Sequence, residues 1–381
     1  MNHKIPVFDA IPLTEKINWI RLCRTTNVGS RMFFKLLKIF GNIDNALNNV
    51  EEFAIKGGIK KPVNIYPIKA AQKELEDCYK INANIICFNE SQYPKNLRNI
   101  FDPPPILTIR GNANLLNQNT LSVIGPRNPS LNGCKFTQMV VSDIGSYNIV
   151  IASGLAKGID AIAHQTALKT GTIAIIAGGI NHIYPKENTK LYEQIINEGL
   201  LISETPIHLP PKGGSFVQRN RIISAIGFGI LVIEATLRSG TLTTARFATE
   251  QNKEIFAVPG SPFDPRYEGT NRLIKDGAFM VTNSNDVIDE LDQLISNHNR
   301  NAKIEENFNE EFVNIETKLP DNKIIDETRK LILEKIDYVP ISSDTLINEL
   351  DIPTKIANIV LVQLELADRI ENKNGKICLK A

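Results

Sequence analysis

From about residue 85 to residue 297 the chain alternates short, continuously apolar runs with longer stretches of apolar residues at helical spacing. The runs Thr120–Ile124, Ile149–Ala152, Thr172–Ala177, Leu200–Ser203, Gly229–Ile233 and Glu254–Val258 are rich in β-branched residues, and most lead into a turn bearing glycine or proline. Helical stretches such as Ile159–Leu168 and Leu191–Glu198 lie between them. A strand that is apolar on both faces must be covered on both, so the alternation predicts a parallel sheet between helical layers. In such sheets ligands sit at the carboxyl ends of the strands.

The flanks read differently. Within 13–65, Leu13–Cys23 and Met32–Leu47 each carry apolar residues at helical spacing, joined by Thr25-Thr26-Asn27-Val28-Gly29-Ser30. Two short helices about a small-residue turn fit half of a helix-hairpin-helix or a SAM-like fold, in which a helix start can hold a phosphate. They fit an ordinary helical pair used for packing or protein contact at least as well. Residues 298–321, rich in Asn, Glu and Lys and poor in large apolar side chains, predict a flexible linker. The last segment, 322–381, predicts helices over Ile324–Ile336, Ser342–Leu350 and Pro353–Leu366, then a hairpin about Asn372–Gly375 ending in Lys376–Leu379. That order makes a winged helix.

Composition narrows the class. With 381 residues, 42% apolar and 22% charged, the chain can bury a sizeable core in one large domain and one or two small ones. A formal net charge of +1 excludes a histone-like polycation but leaves room for a local basic cleft. The five cysteines (Cys23, Cys78, Cys87, Cys134, Cys378) are scattered with no C-x-x-C pair. That argues against a disulfide framework and a structural zinc site, and fits a reducing cytosol. Met1 to Lys16 lacks the apolar core of a signal peptide, and no apolar run approaches the roughly 18 residues that span a bilayer. A cytoplasmic location without membrane contact is expected.

The strand-end loops hold the candidate chemistry. After the first core strand comes Gly125-Pro126-Arg127, where glycine admits a ligand to the backbone and Arg127 can fork onto a phosphate. Ser153-Gly154-Leu155-Ala156-Lys157-Gly158-Ile159-Asp160 follows the second and reads as an anion cradle at a helix start. His164, within the next helix, reads as a core or helix-face contact. Glu204, at a strand end, reads as a helix cap or an arginine's partner before a base. From Lys212 to Arg246 lie five basic residues and one acid, Glu234. This stretch holds Lys212-Gly213-Gly214-Ser215-Phe216, Arg219-Asn220-Arg221 and Arg238-Ser239-Gly240-Thr241. Forked cations, a flexible glycine pair and an aromatic, placed on two adjoining loops, suit a nucleic-acid backbone with an occasional stacked base. Arg127, Lys157, Arg219 and Arg221 are expected to line one groove, with Phe216 stacking on a base.

The chain lacks G-x-x-x-x-G-K-[ST], H-E-x-x-H and G-x-S-x-G, and it has no G-x-G-x-x-G after the first core strand. No cofactor is expected. A rival enzyme reading compares Thr236–Thr244 with the P-G-G-x-G-T-x-x-E loop of phosphoribohydrolases, but the glycine pair is missing and Thr244 replaces the glutamate. A second rival is a scaffold whose basic loops bind acidic protein groups.

Several of these segments recur as one ordered pattern. Ser153–Asp160 with Ala163-His164, Tyr184-Pro185-x-x-Asn188, Arg219-Asn220-Arg221, Glu234 with Ser239-Gly240-Thr241, Val258-Pro259-Gly260, and Gly269-Thr270-Asn271 continuing to Gly277-Ala278 resemble the DNA processing protein A (DprA/Smf) family. The resemblance implies an extended Rossmann-like sheet, homodimerisation, and binding of single-stranded DNA during natural transformation. It also implies loading of the RecA recombinase, and no enzymatic activity. It assigns DNA contact to Gly125 and Arg127, to Ser153, Gly154 and Lys157, to Lys212, Gly213, Gly214 and Phe216, and to Arg219 and Arg221. Pro126 departs from the family's Gly-Ser-Arg or Gly-Thr-Arg and removes a hydroxyl and an N–H from the first loop.

Overall fold

The computed structural model describes residues 9–59, 62–307, 320–373 and 375–380. Among the described residues two compact units emerge, one within 74–307 and one joining 10–59 and 62–73 to 320–373 and 375–380.

In chain order the helices α1 (Leu13–Arg24), α2 (Ser30–Phe40), α3 (Ile43–Lys56) and α4 (Ile68–Lys80) come first. The single helix expected over Met32–Leu47 is two. Gly41 takes φ +81°, a left-handed conformation that ends α2, and the Asn42 side chain accepts from the Asn45 amide at 2.8 Å to start α3. Trp19 and Phe33 pack at a ring-centroid distance of 4.9 Å in the core of these helices.

The sheet unit follows with β1 (Ala83–Cys87), α5 (Lys95–Arg98), β2 (Ile106–Gly111), β3 (Thr120–Ile124), α6 (Leu131–Ser146), β4 (Val150–Ser153) and α7 (Ile159–Ala167). It continues through β5 (Thr172–Ile175), α8 (Thr189–Glu198), β6 (Leu200–Ser203), α9 (Gly213–Ile226), β7 (Gly229–Val232) and α10 (Gly240–Glu250). It ends with β8 (Glu254–Ala257), α11 (Glu268–Lys275), β9 (Phe279–Met280) and α12 (Asn285–Asn307). The nine strands run in the order β1-β2-β6-β5-β4-β3-β7-β8-β9. From β6 to β9 all pairings are parallel, while β2 joins β6 and β1 joins β2 antiparallel. The chain starts the parallel part at β3, winds outward through β4, β5 and β6, and returns to β3's other side with β7, a Rossmann-like reversal that opens a crevice at the carboxyl edge.

Alternation along the strands feeds two cores. Leu121, Val123 and Ile151 point to the layer of α6, α7 and α12, whereas Ile124, Val150 and Ala152 point to that of α9 and α10. Helix α12 runs to Asn307, past residue 298 where the sequence predicts a linker. The rest of that expected linker, 308–319, lies outside the described residues.

The C-terminal segment forms α13 (Asn322–Lys335), β10 (Ile341–Ser342), α14 (Ser343–Glu349), α15 (Thr354–Leu366), β11 (Ile370–Lys373) and β12 (Lys376–Leu379), a winged helix with a three-stranded sheet in the order β10-β12-β11. Helix α15 is buried without a break from Ile359 to Leu364. The N-terminal helices cover part of it. A Cβ on Gly57 would lie 2.0 Å from the Gln363 carbonyl oxygen, Lys35 pairs with Glu365 at 2.5 Å, and Asn27 donates to the Leu366 carbonyl at 3.2 Å.

Candidate nucleic-acid interface

β3, β4 and β5 end side by side, and the loops that leave them face helix α9 across a small pocket open to solvent. Arg127 after β3, Lys157 after β4, Tyr184 beyond β5, and Phe216 and Arg219 from α9 line it. Arg127 and Lys157 are exposed. The Phe216 and Tyr184 rings lie 5.3 Å apart at an angle of 56°. Two exposed cations beside an aromatic pair can take a phosphate and stack a base.

The loop after β4 is held from three directions. The Asp160 carboxylate accepts from the amides of Gly154 at 3.2 Å and Ala156 at 3.3 Å. The Asn188 side chain donates to the carbonyls of Leu155 at 3.0 Å and Ala156 at 3.1 Å. Arg219 donates to the Gly154 carbonyl at 2.5 Å and also to that of Ile175. These bonds hold Leu155, almost wholly buried, at φ +55°, a conformation uncommon for a branched side chain. The anion cradle expected from Ser153 to Lys157 is therefore partly filled from within, because an internal carboxylate already takes two of its amides. Ser153 is buried and its hydroxyl donates to the Val123 carbonyl at 2.6 Å.

Two glycines expected to admit a ligand instead admit the protein itself. A Cβ on Gly125 would lie 2.5 Å from Ile159 Cγ1, and one on Gly154 would lie 2.7 Å from an Arg219 guanidinium nitrogen. Gly213, Gly214 and Gly240 have open space around them. Gly213 and Gly214 are the first two residues of α9, not a flexible loop, and Lys212 stands exposed at its N-cap. Arg219-Asn220-Arg221 thus lies on a helix, contrary to the loop expected from its glycine- and proline-rich approach.

Arg219 is buried and forms the back of the pocket. Burial pushes its guanidinium down to about 10, with Asp160 opposing the shift and Arg127 adding to it, so it remains charged at neutral pH. Burial raises the Asp160 carboxyl, and Arg219 and the two loop amides work against that rise. Asn220 accepts from Arg219 Nε at 3.2 Å. His164 is fully buried with Nδ1 2.7 Å from the Thr172 hydroxyl, and burial together with Arg219 holds it down to about 3, hence neutral. It is the core histidine that its place in the helix predicts.

Arg221 does not join the groove expected of it. Its guanidinium pairs with Asp102 at 3.3 Å and Glu204 at 2.5 Å, leaving the side chain 8% exposed. Glu204 is thus an arginine's partner. Arg238, Ser239 and Gly240 line a second, separate depression at the start of α10 with Arg246, and Thr241 is buried beside them. Glu234 is fully buried and accepts from the Ser130 amide at 3.1 Å, the Ser130 hydroxyl, and the Tyr267 hydroxyl at 3.1 Å, tying the loop after β3 to the one before α11. At the position where the phosphoribohydrolase motif places its glutamate, Thr244 is buried and donates to the Gly240 carbonyl at 3.4 Å.

Asp160, Asn188 and Tyr184 are three residues of this site that the sequence reading did not single out as contacts. All three stand inside segments noted for their pattern, but bonds from a side chain to distant carbonyls and amides leave no local signature. Among the described residues, no cluster of three or more His, Cys, Asp or Glu could hold a metal ion, and no helix is long and apolar enough to cross a membrane.

The family profile described as DNA recombination-mediator protein A matches residues 84–292. Profiles for a DprA-like N-terminal HHH domain and a DprA winged helix domain match residues 14–76 and 317–376. The chain is 40% identical over 211 residues to the DNA processing protein DprA of Bacillus subtilis (strain 168), covering 55% of this chain and 71% of that one. The X-ray structure of DNA processing protein A from Streptococcus pneumoniae aligns with a TM-score of 0.61 at 32% identity, covering 75% of this chain and 99% of that one. DNA processing protein A from Helicobacter pylori, whose structure concerns its single-stranded DNA binding mode, aligns with a TM-score of 0.52 at 30% identity, covering 56% of this chain and 97% of that one. In sequence, in domain order and in fold, this chain belongs to the DNA recombination-mediator protein A family, the DprA/Smf proteins.

Proposed function

We propose that this protein binds single-stranded DNA in the pocket at the carboxyl ends of β3, β4 and β5, acts as a homodimer in the cytoplasm, and loads RecA onto the strand during natural transformation. The observation that carries the reading is the convergence of exposed Arg127 and Lys157 on the Phe216–Tyr184 pair in one pocket. Such a pocket offers charge to a phosphate and an apolar face to an unpaired base, and a base held in a duplex cannot present that face. Single-strand binding by the Helicobacter pylori relative supports it. Lys212, with Gly213 and Gly214 at the open start of α9, extends the backbone track, and Arg238 to Thr241 offer a second contact along the strand. Arg219, held by Asn220, serves it from behind. A dimer would place two pockets on one strand and raise affinity through effective concentration.

Fluorescence anisotropy with labelled single- and double-stranded oligonucleotides across a salt series tests the reading. Preference for the single strand, with a log–log salt slope of about 0.7 per phosphate contact, is the expected outcome. Equal or absent binding overturns it. RecA-dependent strand exchange on that complex then tests the loading step.

A further inference from the structure

The turn that brings Tyr184 to the pocket ends in Lys186–Asn188, and its last two residues both act on the loop that carries Lys157. The Glu187 carboxylate lies 2.5 Å from Lys157 Nζ, and both side chains are about half exposed, at 60% and 49%. The Lys157 ammonium, hydrogen-bonded to Glu187, holds that carboxyl below its ordinary range. One residue on, the Asn188 side chain bonds the carbonyls of Leu155 and Ala156, immediately before Lys157 in the chain. Lys157 thus has its backbone fixed and its charge already partnered.

We propose that this turn governs the pocket, with Glu187 as an internal stand-in that a DNA phosphate must displace from Lys157, and Asn188 as the positioning residue that aims Lys157. This rests on the single-strand reading above and deepens it. Binding exchanges one anionic partner of Lys157 for another. Arg127 differs, since no carboxylate pairs with it among the described residues. The exchange makes neighbouring residues act with opposite sign. Glu187 restrains binding because it competes for the ammonium, whereas Asn188 promotes it because the loop loses two tethers without its amide. An exposed ion pair is weak, so the restraint amounts to about two- to fivefold in affinity. The Asn188 tethers reach carbonyls of a half-buried loop, and their loss weakens binding by about five- to tenfold.

The test is a salt titration of labelled oligothymidylate binding to the full chain as wild type, Glu187→Gln, Asn188→Ala, Lys157→Ala and the two doubles with Lys157→Ala. The expected result is tighter binding for Glu187→Gln, greatest at low salt, and weaker binding for Asn188→Ala. Both effects should vanish in the Lys157→Ala background, because each runs through that side chain. A merely structural role for Asn188 would persist there and add to the Lys157→Ala loss. Wild-type binding with Glu187→Gln unchanged or weaker would overturn the stand-in, and effects that add to Lys157→Ala would overturn the positioning role. Absence of salt-dependent binding by the wild type would overturn the single-strand reading itself, and this inference with it. Should Asn188→Ala fail to fold, Glu187→Gln alone decides the exchange.

Discussion

In the sheet unit two cations, Arg127 and Lys157, stand exposed at strand ends while the buried Arg219 braces the loop behind them. In the unit that joins the chain's two ends, the third helix of the winged helix is the element that would enter a major groove. Yet α15 is buried continuously over Ile359–Leu364 and carries one cation, Lys355. Lys35 of α2 and Asn27 of the turn before it bond to its last turn, and Gly57 closes on its backbone. The difference teaches that a fold's usual DNA-reading element says little until its surface is accounted for. Here the open, charged surface belongs to the sheet, and α15 is a packing helix.

Arg219 gives the largest expected effect on this comparison. Arg219→Ala would strip the loop after β4 of its brace, take a donor from the buried Gly154 and Ile175 carbonyls, and remove a charge that favours the ionised Asp160 carboxyl. Each buried acceptor left without its donor costs about 1–3 kcal/mol. Urea denaturation should show that loss, and Asp160→Asn in the same background should recover part of it. If Arg219→Ala instead kept full stability and only weakened binding, Arg219 would belong with Arg127 as a ligand contact.

Next comes a pH effect confined to the sheet unit. His164 falls from 6.5 to about 3 on folding, so the folded state stays unprotonated while the unfolded chain takes up a proton below 6.5. Its contribution is complete above 6.5 and is lost as pH falls towards 3. Between pH 6.5 and 5 the loss is about 2 kcal/mol. Denaturation at both pH values should show it in the wild type and to a smaller degree in His164→Gln. Equal losses in the two proteins would show that His164 does not drive the effect.

The third lies in the other unit. Gly57→Leu forces a side chain against Gln363 and should cost about 1–3 kcal/mol. Trp19, the chain's single tryptophan, lies buried among the N-terminal helices and reports on the change. Single-strand affinity should stay within about twofold, since the pocket is elsewhere; a tenfold loss would mean that the comparison is drawn in the wrong place.

Much of the parallel sheet was legible because its strands are apolar on both faces. Thr120–Ile124 and Leu200–Ser203 lie as their pattern places them. The antiparallel pair Ala83–Cys87 and Ile106–Gly111 was not, since only the four-residue α5 lies between them and the regular strand–helix alternation does not reach them. Pro210-Pro211 and two glycines announce a break and so predict loop for Lys212 to Phe216 and for Arg219 with Arg221, but here they mark a helix start. In the site, Arg127 and Lys157 could be found because glycine-bearing strand-end loops expose what they carry. The bonds of Arg219 and Arg221 were hidden because their partners, at Gly154, Ile175, Asp102 and Glu204, are brought near only by the fold. The pocket was legible as charge; its internal bracing was not.

The most direct test of the central claim is the salt dependence of single-strand binding by Arg127→Ala/Lys157→Ala beside the wild type. The account predicts at least a roughly tenfold loss of affinity at low salt and a log–log slope smaller by about 1.4, two phosphate contacts' worth. An unchanged affinity and slope would contradict it and move the DNA path to another face.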